Sequence, residues 1–251
     1  TIGYRAWRAA PWLGRHGYLK TQLAEAFQRE VTARGVKADI STRAEDTLHG
    51  NAWYEFLLRC KYTIGVEGGA SILDWDGTVR ARTDSYVAQH PDAEFREIEA
   101  ACFPGLEGSL GLFAISPRHL EACATRTCQI LIEGDYNDIL VPDKHYIKLR
   151  RDFSNLEEVF TTLKDDVLRG KIIDCAYQDV VGSGNYFYES FVKQIIETSL
   201  GTAPEKSPSQ SDERGTWLAW RWGQFANLFA WVKTAFRSLI LSPLYQRMVR
   251  K

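Results

Sequence analysis

The stretch from Leu112 to Lys148 changes its hydrophobic period twice, and such a chain must fold back on itself around a strand–helix–strand unit. Leu112 to Ile115 is apolar and β-capable. Ser116-Pro117 supplies an N-cap and a proline at the first helical position. Leu120, Cys123 and Ala124 follow at helical spacing, and Gln129 to Ile132 is again a strand. Glu121 lies one turn into the helix and Arg118 on its first turn. A carboxylate accepts hydrogen bonds from both hydroxyls of a ribose. Arg118 reads either as a phosphate ligand or as half of a surface ion pair. Open α/β sheets bind ligands outside the carboxyl ends of their strands, and a helix that starts just past a strand end is placed for this. The loop Gly134-Asp135-Tyr136-Asn137 follows and lines the same crevice in this reading. His145 precedes a further strand at Tyr146–Leu149 and reads as a satisfied structural histidine before a base.

The N-terminal part repeats the alternation. Ile2 to Tyr4 is a short strand ending at Arg5, and a loop rich in Gly and cations leads to a helix with Leu19, Leu23, Ala26 and Phe27 on one face. The loop is either a solvated basic segment or a diphosphate cradle. In the second case the helix N-terminus offers N–H groups and Arg5, Arg15 and Lys20 add charge. Ala38–Ser41 is a weak strand, 53–60 a short amphipathic helix, and Lys61–Val66 a strand running into Glu67-Gly68-Gly69-Ala70-Ser71. A carboxylate at a strand end followed by glycines suits close approach of a ligand. Glu67 equally suits capping of a turn. Asp74-Trp75-Asp76 has the spacing of a metal-holding carboxylate pair, but Asp-Gly follows and reads as a turn, so no metal site is assigned. Residues 80–110 read as an exposed excursion with one helix. Helices are expected from Leu156, from Val167 and over Tyr186–Leu200, the first capped by Asp152 or Ser154.

The segment SPRHLEACATRTCQILIEGDYNDILVPDKHYI is similar to the donor-binding segment of GT-B glycosyltransferases, and RRDFSNLEEVFTTLKDD resembles the helix that follows it in bacterial surface-polysaccharide and CAP10-like enzymes. The likeness covers roughly residues 1 to 195. It implies a Rossmann-like open parallel sheet flanked by helices, the C-terminal half of a GT-B pair. It implies Arg5 and Lys20 as the cations that stabilise the leaving diphosphate. Glu67, Gly68, Gly69, Ser71, Arg118, Glu121, Gly134 and Tyr136 are then donor-binding, with Glu67 on the sugar and Glu121 on the ribose. The implied substrate is a nucleotide-diphosphate sugar, the acceptor a glycan or lipid-linked glycan, and no metal or other cofactor is called for. Many relatives place the two glutamates eight positions apart, whereas Glu67 and Glu121 are separated by a long insertion.

Composition narrows the alternatives. A net charge of -1 over 251 residues gives no field for nucleic acid. Five cysteines without a CxxC pair read as reduced, buried thiols of a cytoplasmic protein. The chain begins Thr-Ile-Gly-Tyr within a strand, as a fragment or processed piece would, and shows no signal segment. The expected organisation is a donor-binding domain over 1–200, a polar linker over 201–215 and an amphipathic helix over 216–251. Trp, Phe and cations over 216–240 suit the inner membrane surface, or docking on the domain itself or a partner. Two other functions fit: a non-catalytic carbohydrate- or nucleotide-binding module held at a membrane, and a metal-dependent GT-A enzyme using Asp74 and Asp76.

Overall fold

A computed structural model describes residues 1–108 and 110–200. The chain divides into two units, Thr1–Phe191 and Val192–Lys251. The first is an α/β domain built on five parallel strands, β1 (Ile2–Arg5), β2 (Ala38–Ser41), β3 (Tyr62–Gly65), β6 (Cys128–Ile132) and β7 (Ile147–Leu149), in the order β2-β1-β3-β6-β7. It is Rossmann-like. The chain moves outward from β1 to β2 and then back past β1 to β3, so the topological switch lies between β1 and β3, where such sheets open a crevice.

One sheet face is covered by α1 (Gly14–Arg34), α6 (Leu156–Thr162) and α7 (Asp166–Ala176). Leu23, Phe27, Phe160 and Ile172 pack there on Ile2, Tyr4, Ile64 and Ile130. α1 ends where Gly35 turns left-handed (φ 62°) and Val36 N–H returns to the Val31 carbonyl at 2.9 Å. α2 (Asn51–Arg59) and α5 (Pro117–Ala124) cover the other face with Phe56, Leu57 and Cys123. Every residue of β6 is buried, the signature of a strand sandwiched between helical layers. α5 starts as its sequence dictates: Ser116 caps it, Pro117 opens it and His119 closes a capping box. α6 is entered through Asn155, while the Asp152 carboxylate turns to Ser154 N–H, so neither expected residue is its cap.

Two elements depart from expectation. Leu112–Ala114, strand β5, does not join the parallel sheet; it pairs antiparallel with β4 (Gly68–Ala70) in a separate two-stranded ribbon. The reason is Gly69, at φ 116° opposite Phe113, where a Cβ would collide with the Leu112 carbonyl oxygen. The 80–110 excursion holds two helices, α3 (Thr78–Gln89) and α4 (Phe95–Cys102), around a small core of Ile72, Phe95, Ile98, Cys102 and Phe103. It is fastened to α1 by Tyr18 stacked on Phe95, ring centroids 4.7 Å apart. α8 runs over Tyr188–Leu200. The expected linker at 201–215 and amphipathic helix at 216–251, with its membrane-facing stretch 216–240, lie outside the described residues. Among the described residues no helix is long and apolar enough to cross a membrane.

Candidate functional site

The switch-point crevice expected of such a sheet lies past the ends of β1 and β3. Glu67 follows β3 and is buried, 3% exposed. One of its oxygens accepts the Tyr136 N–H at 2.8 Å. A Cβ on Gly134 would lie 2.7 Å from the carboxyl carbon, so glycine is what lets this loop close over Glu67. Tyr136 itself faces the core, donating its hydroxyl to the Ile132 carbonyl at 2.7 Å; only its backbone serves the site. Gly134 and Tyr136 thus hold Glu67. No protein donor meets the second Glu67 oxygen among the described residues.

The cations of the N-terminal loop are divided. Arg5 is taken up by β2: it pairs with Asp39 at 2.7 Å, donates to the Asp39 carbonyl at 2.9 Å and lies over the Phe56 ring. Arg15 forms a two-point pair with Glu99, at 2.7 and 3.0 Å. The first N–H groups of α1 are also occupied, Arg15 N–H by Glu107 (2.8 Å) and His16 N–H by the Ser71 hydroxyl (3.1 Å). Ser71 is therefore a helix cap, and the helix start is no open anion cradle. Lys20 differs. It is half-buried one turn further along α1 and makes no hydrogen bond or ion pair among the described residues. Burial first, and then the neighbouring Arg118 guanidinium, hold its ammonium below the usual lysine range. Arg118 donates to the Arg5 carbonyl, which draws the first turn of α5 against the end of β1. Basic loop and acidic helix thus share one rim.

Glu121 is fixed by a residue with no obvious signal in the sequence. Trp53 of α2 donates its indole N–H to Glu121 Oε2 at 2.7 Å, and the Arg118 guanidinium lies 5.0 Å from the same ring. One aromatic plate thus orients both polar residues of α5. A double-mutant cycle between Trp53→Phe and Glu121→Ala in urea unfolding should return a coupling of about 1.5 kcal/mol, the worth of a hydrogen bond to a charged group; a coupling near zero would make the contact incidental.

Two histidines flank the crevice. The Glu67 carbonyl oxygen, 3.0 Å from His16 Nε2, can only accept, so Nε2 carries the proton. Nδ1 is then a buried acceptor with no donor among the described residues. Burial lowers the His16 pKa, Lys20 and Arg151 lower it further, and the Glu67 carbonyl opposes them. His119 is buried, its Nδ1 accepting Ser116 N–H at 3.0 Å, and burial pulls it down to about 4. Both imidazoles are neutral at pH 7. His145 is a structural clasp: Nδ1 accepts Val141 N–H at 3.1 Å, so Nε2–H points to Asp179 at 3.0 Å.

The carboxylates of the D-x-D are engaged locally. Asp74 accepts from Val79 and Arg80 N–H and Asp76 from Thr78 N–H, which caps α3. Among the described residues no group of three or more His, Cys, Asp or Glu converges as a metal site would. The cysteines are free thiols; burial pushes Cys123 and Cys128 up to about 12, where they are inert.

Beside the crevice lies a wide groove of ≈ 1280 Å³ between α1, α4 and the segment after β7. His16, Ser71, Phe113 and Arg151 line it at the crevice end, Phe95, Arg96 and Glu99 at the other. His16, Trp53 and Arg151 are the residues of this region that sequence reasoning passed over. No protein-family model matches the chain, and no curated protein is significantly similar to it.

Proposed function

We propose that this chain binds a nucleotide-diphosphate sugar and serves as the donor-binding half of a metal-independent glycosyltransferase that extends a glycan or lipid-linked glycan. The observation that carries the reading is Lys20. A half-buried ammonium without an acidic partner among the described residues, beside a second cation, costs desolvation energy that these residues do not recover, and a polyanion arriving at the switch point recovers it. The likeness of the Leu112–Lys148 region to GT-B donor sites supports the same ligand.

In this reading Lys20 and Arg118 take the diphosphate. A departing diphosphate gathers negative charge, so fixed cations bind the transition state more tightly than the ground state. Arg5 acts through its carbonyl, which fixes Arg118, rather than through its own committed guanidinium. Glu121, held by Trp53, accepts the ribose hydroxyls, and the open oxygen of Glu67 accepts a hydroxyl of the sugar. A thermal-shift panel of UDP, GDP, CDP and their sugars is the test. At least one diphosphate should raise the unfolding temperature, and its monophosphate should raise it less, because the second phosphate supplies the charge that Lys20 lacks. A panel with no shift would remove the donor-binding reading. Binding without turnover of any nucleotide sugar by the protein carrying both GT-B halves would favour the non-catalytic module.

A further inference from the structure

The geometry points to a second ligand site in the groove beside the crevice, one shaped for an acidic oligosaccharide, a chain of sugar rings bearing carboxylates; its role as the acceptor rests on the donor reading above. The groove, ≈ 1280 Å³, is larger than one sugar needs and suits an extended ligand.

Its charges are only partly spent. Arg15 is neutralised by Glu99, and Glu107 caps α1. Arg96 on α4 and Arg151 beyond β7 are exposed and without an ion-pair partner among the described residues, and they come from different walls. Two separated guanidiniums match carboxylates spaced along a chain, each able to accept two parallel hydrogen bonds. A compact phosphate fits the place less well, because the glutamates on the same walls repel concentrated negative charge. Those glutamates accept hydrogen bonds from hydroxyls, which a sugar chain supplies.

The crevice end of the groove adds two features. Phe113, half-buried and stacked on His16 with ring centroids 3.9 Å apart, offers an apolar plane for the C–H face of a sugar ring. The buried His16 Nδ1 is an acceptor lacking a donor among the described residues. Through its other nitrogen the same imidazole holds the Glu67 carbonyl, so one residue joins groove and crevice. A hydroxyl at this end is one imidazole away from the backbone of Glu67, the residue assigned to the donor sugar, and so on the side where an acceptor must be.

The test is calorimetry on the full chain with tetragalacturonate, maltotetraose and inorganic phosphate. Tetragalacturonate should bind, and more tightly than the uncharged maltotetraose. Arg96→Ala and Arg151→Ala should each weaken it about tenfold, and Arg96→Ala should leave UDP binding unchanged. Equal binding of the two tetrasaccharides, indifference to Arg96→Ala, or displacement of tetragalacturonate by millimolar phosphate would overturn the site. UDP binding without tetragalacturonate binding refutes this inference alone. Arg96-dependent tetragalacturonate binding without any nucleotide binding keeps the glycan site and removes its acceptor role.

Discussion

Lys20→Met is expected to bind UDP, taken as the probe diphosphate, about a hundredfold more weakly than the parent chain and to unfold at a higher temperature. Both outcomes come from one fact, a half-buried ammonium that pairs with no acid among the described residues. Methionine keeps most of the stem's apolar volume and removes the charge, so the ligand-free protein gains about 1 kcal/mol. The diphosphate loses a charge-assisted contact in a partly desolvated crevice, about 2.7 kcal/mol, which is a hundredfold in affinity. Calorimetry with UDP and a melting curve on the same sample read the two effects. Residues that serve ligands at a cost to the free fold show this opposition, whereas a solvated surface lysine shows neither effect. A variant that binds as before and melts as before would place Lys20 among the ordinary surface cations.

The second large effect is a loss of stability as pH falls from 6.5 to 4. His119 is held near 4 in the folded protein by burial and near 6.5 when unfolded. Within that window the unfolded chain binds the extra proton, so stability rises with pH. Above 6.5 both states are neutral and the full stability is present. Acidification through the window removes up to about 3 kcal/mol, and below 4 this contribution is flat. The lowered His16 adds in the same direction. His119→Gln isolates the effect. Glutamine at this position completes a capping box with Ser116, as His119 does, but has no proton to gain. Urea titrations at pH 7 and pH 4 should therefore differ less for the variant than for the parent, by about 3 kcal/mol. Parallel pH profiles would show that His119 is protonated in the fold or plays no part in acid unfolding.

Much of the fold was legible because its signals are local. The Ser-Pro start of α5, the buried run of β6 and the spacing of Leu19, Leu23 and Phe27 each act within a few residues. β5 was legible as a strand but not as to its sheet, because strand propensity does not name a partner. The pairing depends on Gly69, far away in sequence, whose backbone leaves room for Leu112. In the candidate site Glu67, Arg118 and Glu121 stood out as polar residues next to strand ends and helix starts. Arg5 and Arg15 stood out equally, yet Asp39 and Glu99 claim them in the folded chain. Trp53 and His16 carried no signal, since an aromatic on an amphipathic helix and a histidine in a basic loop have many roles.

The sequence by itself determined an alternating α/β chain with polar residues gathered at one rim, because hydrophobic period and capping chemistry are properties of short segments. Only the tertiary structure decided which charges remain free at that rim. Ion pairing is settled by distance, and the distance between Arg5 and Asp39, or the absence of an ion pair to Lys20 among the described residues, comes into being when strands far apart in the chain are laid side by side.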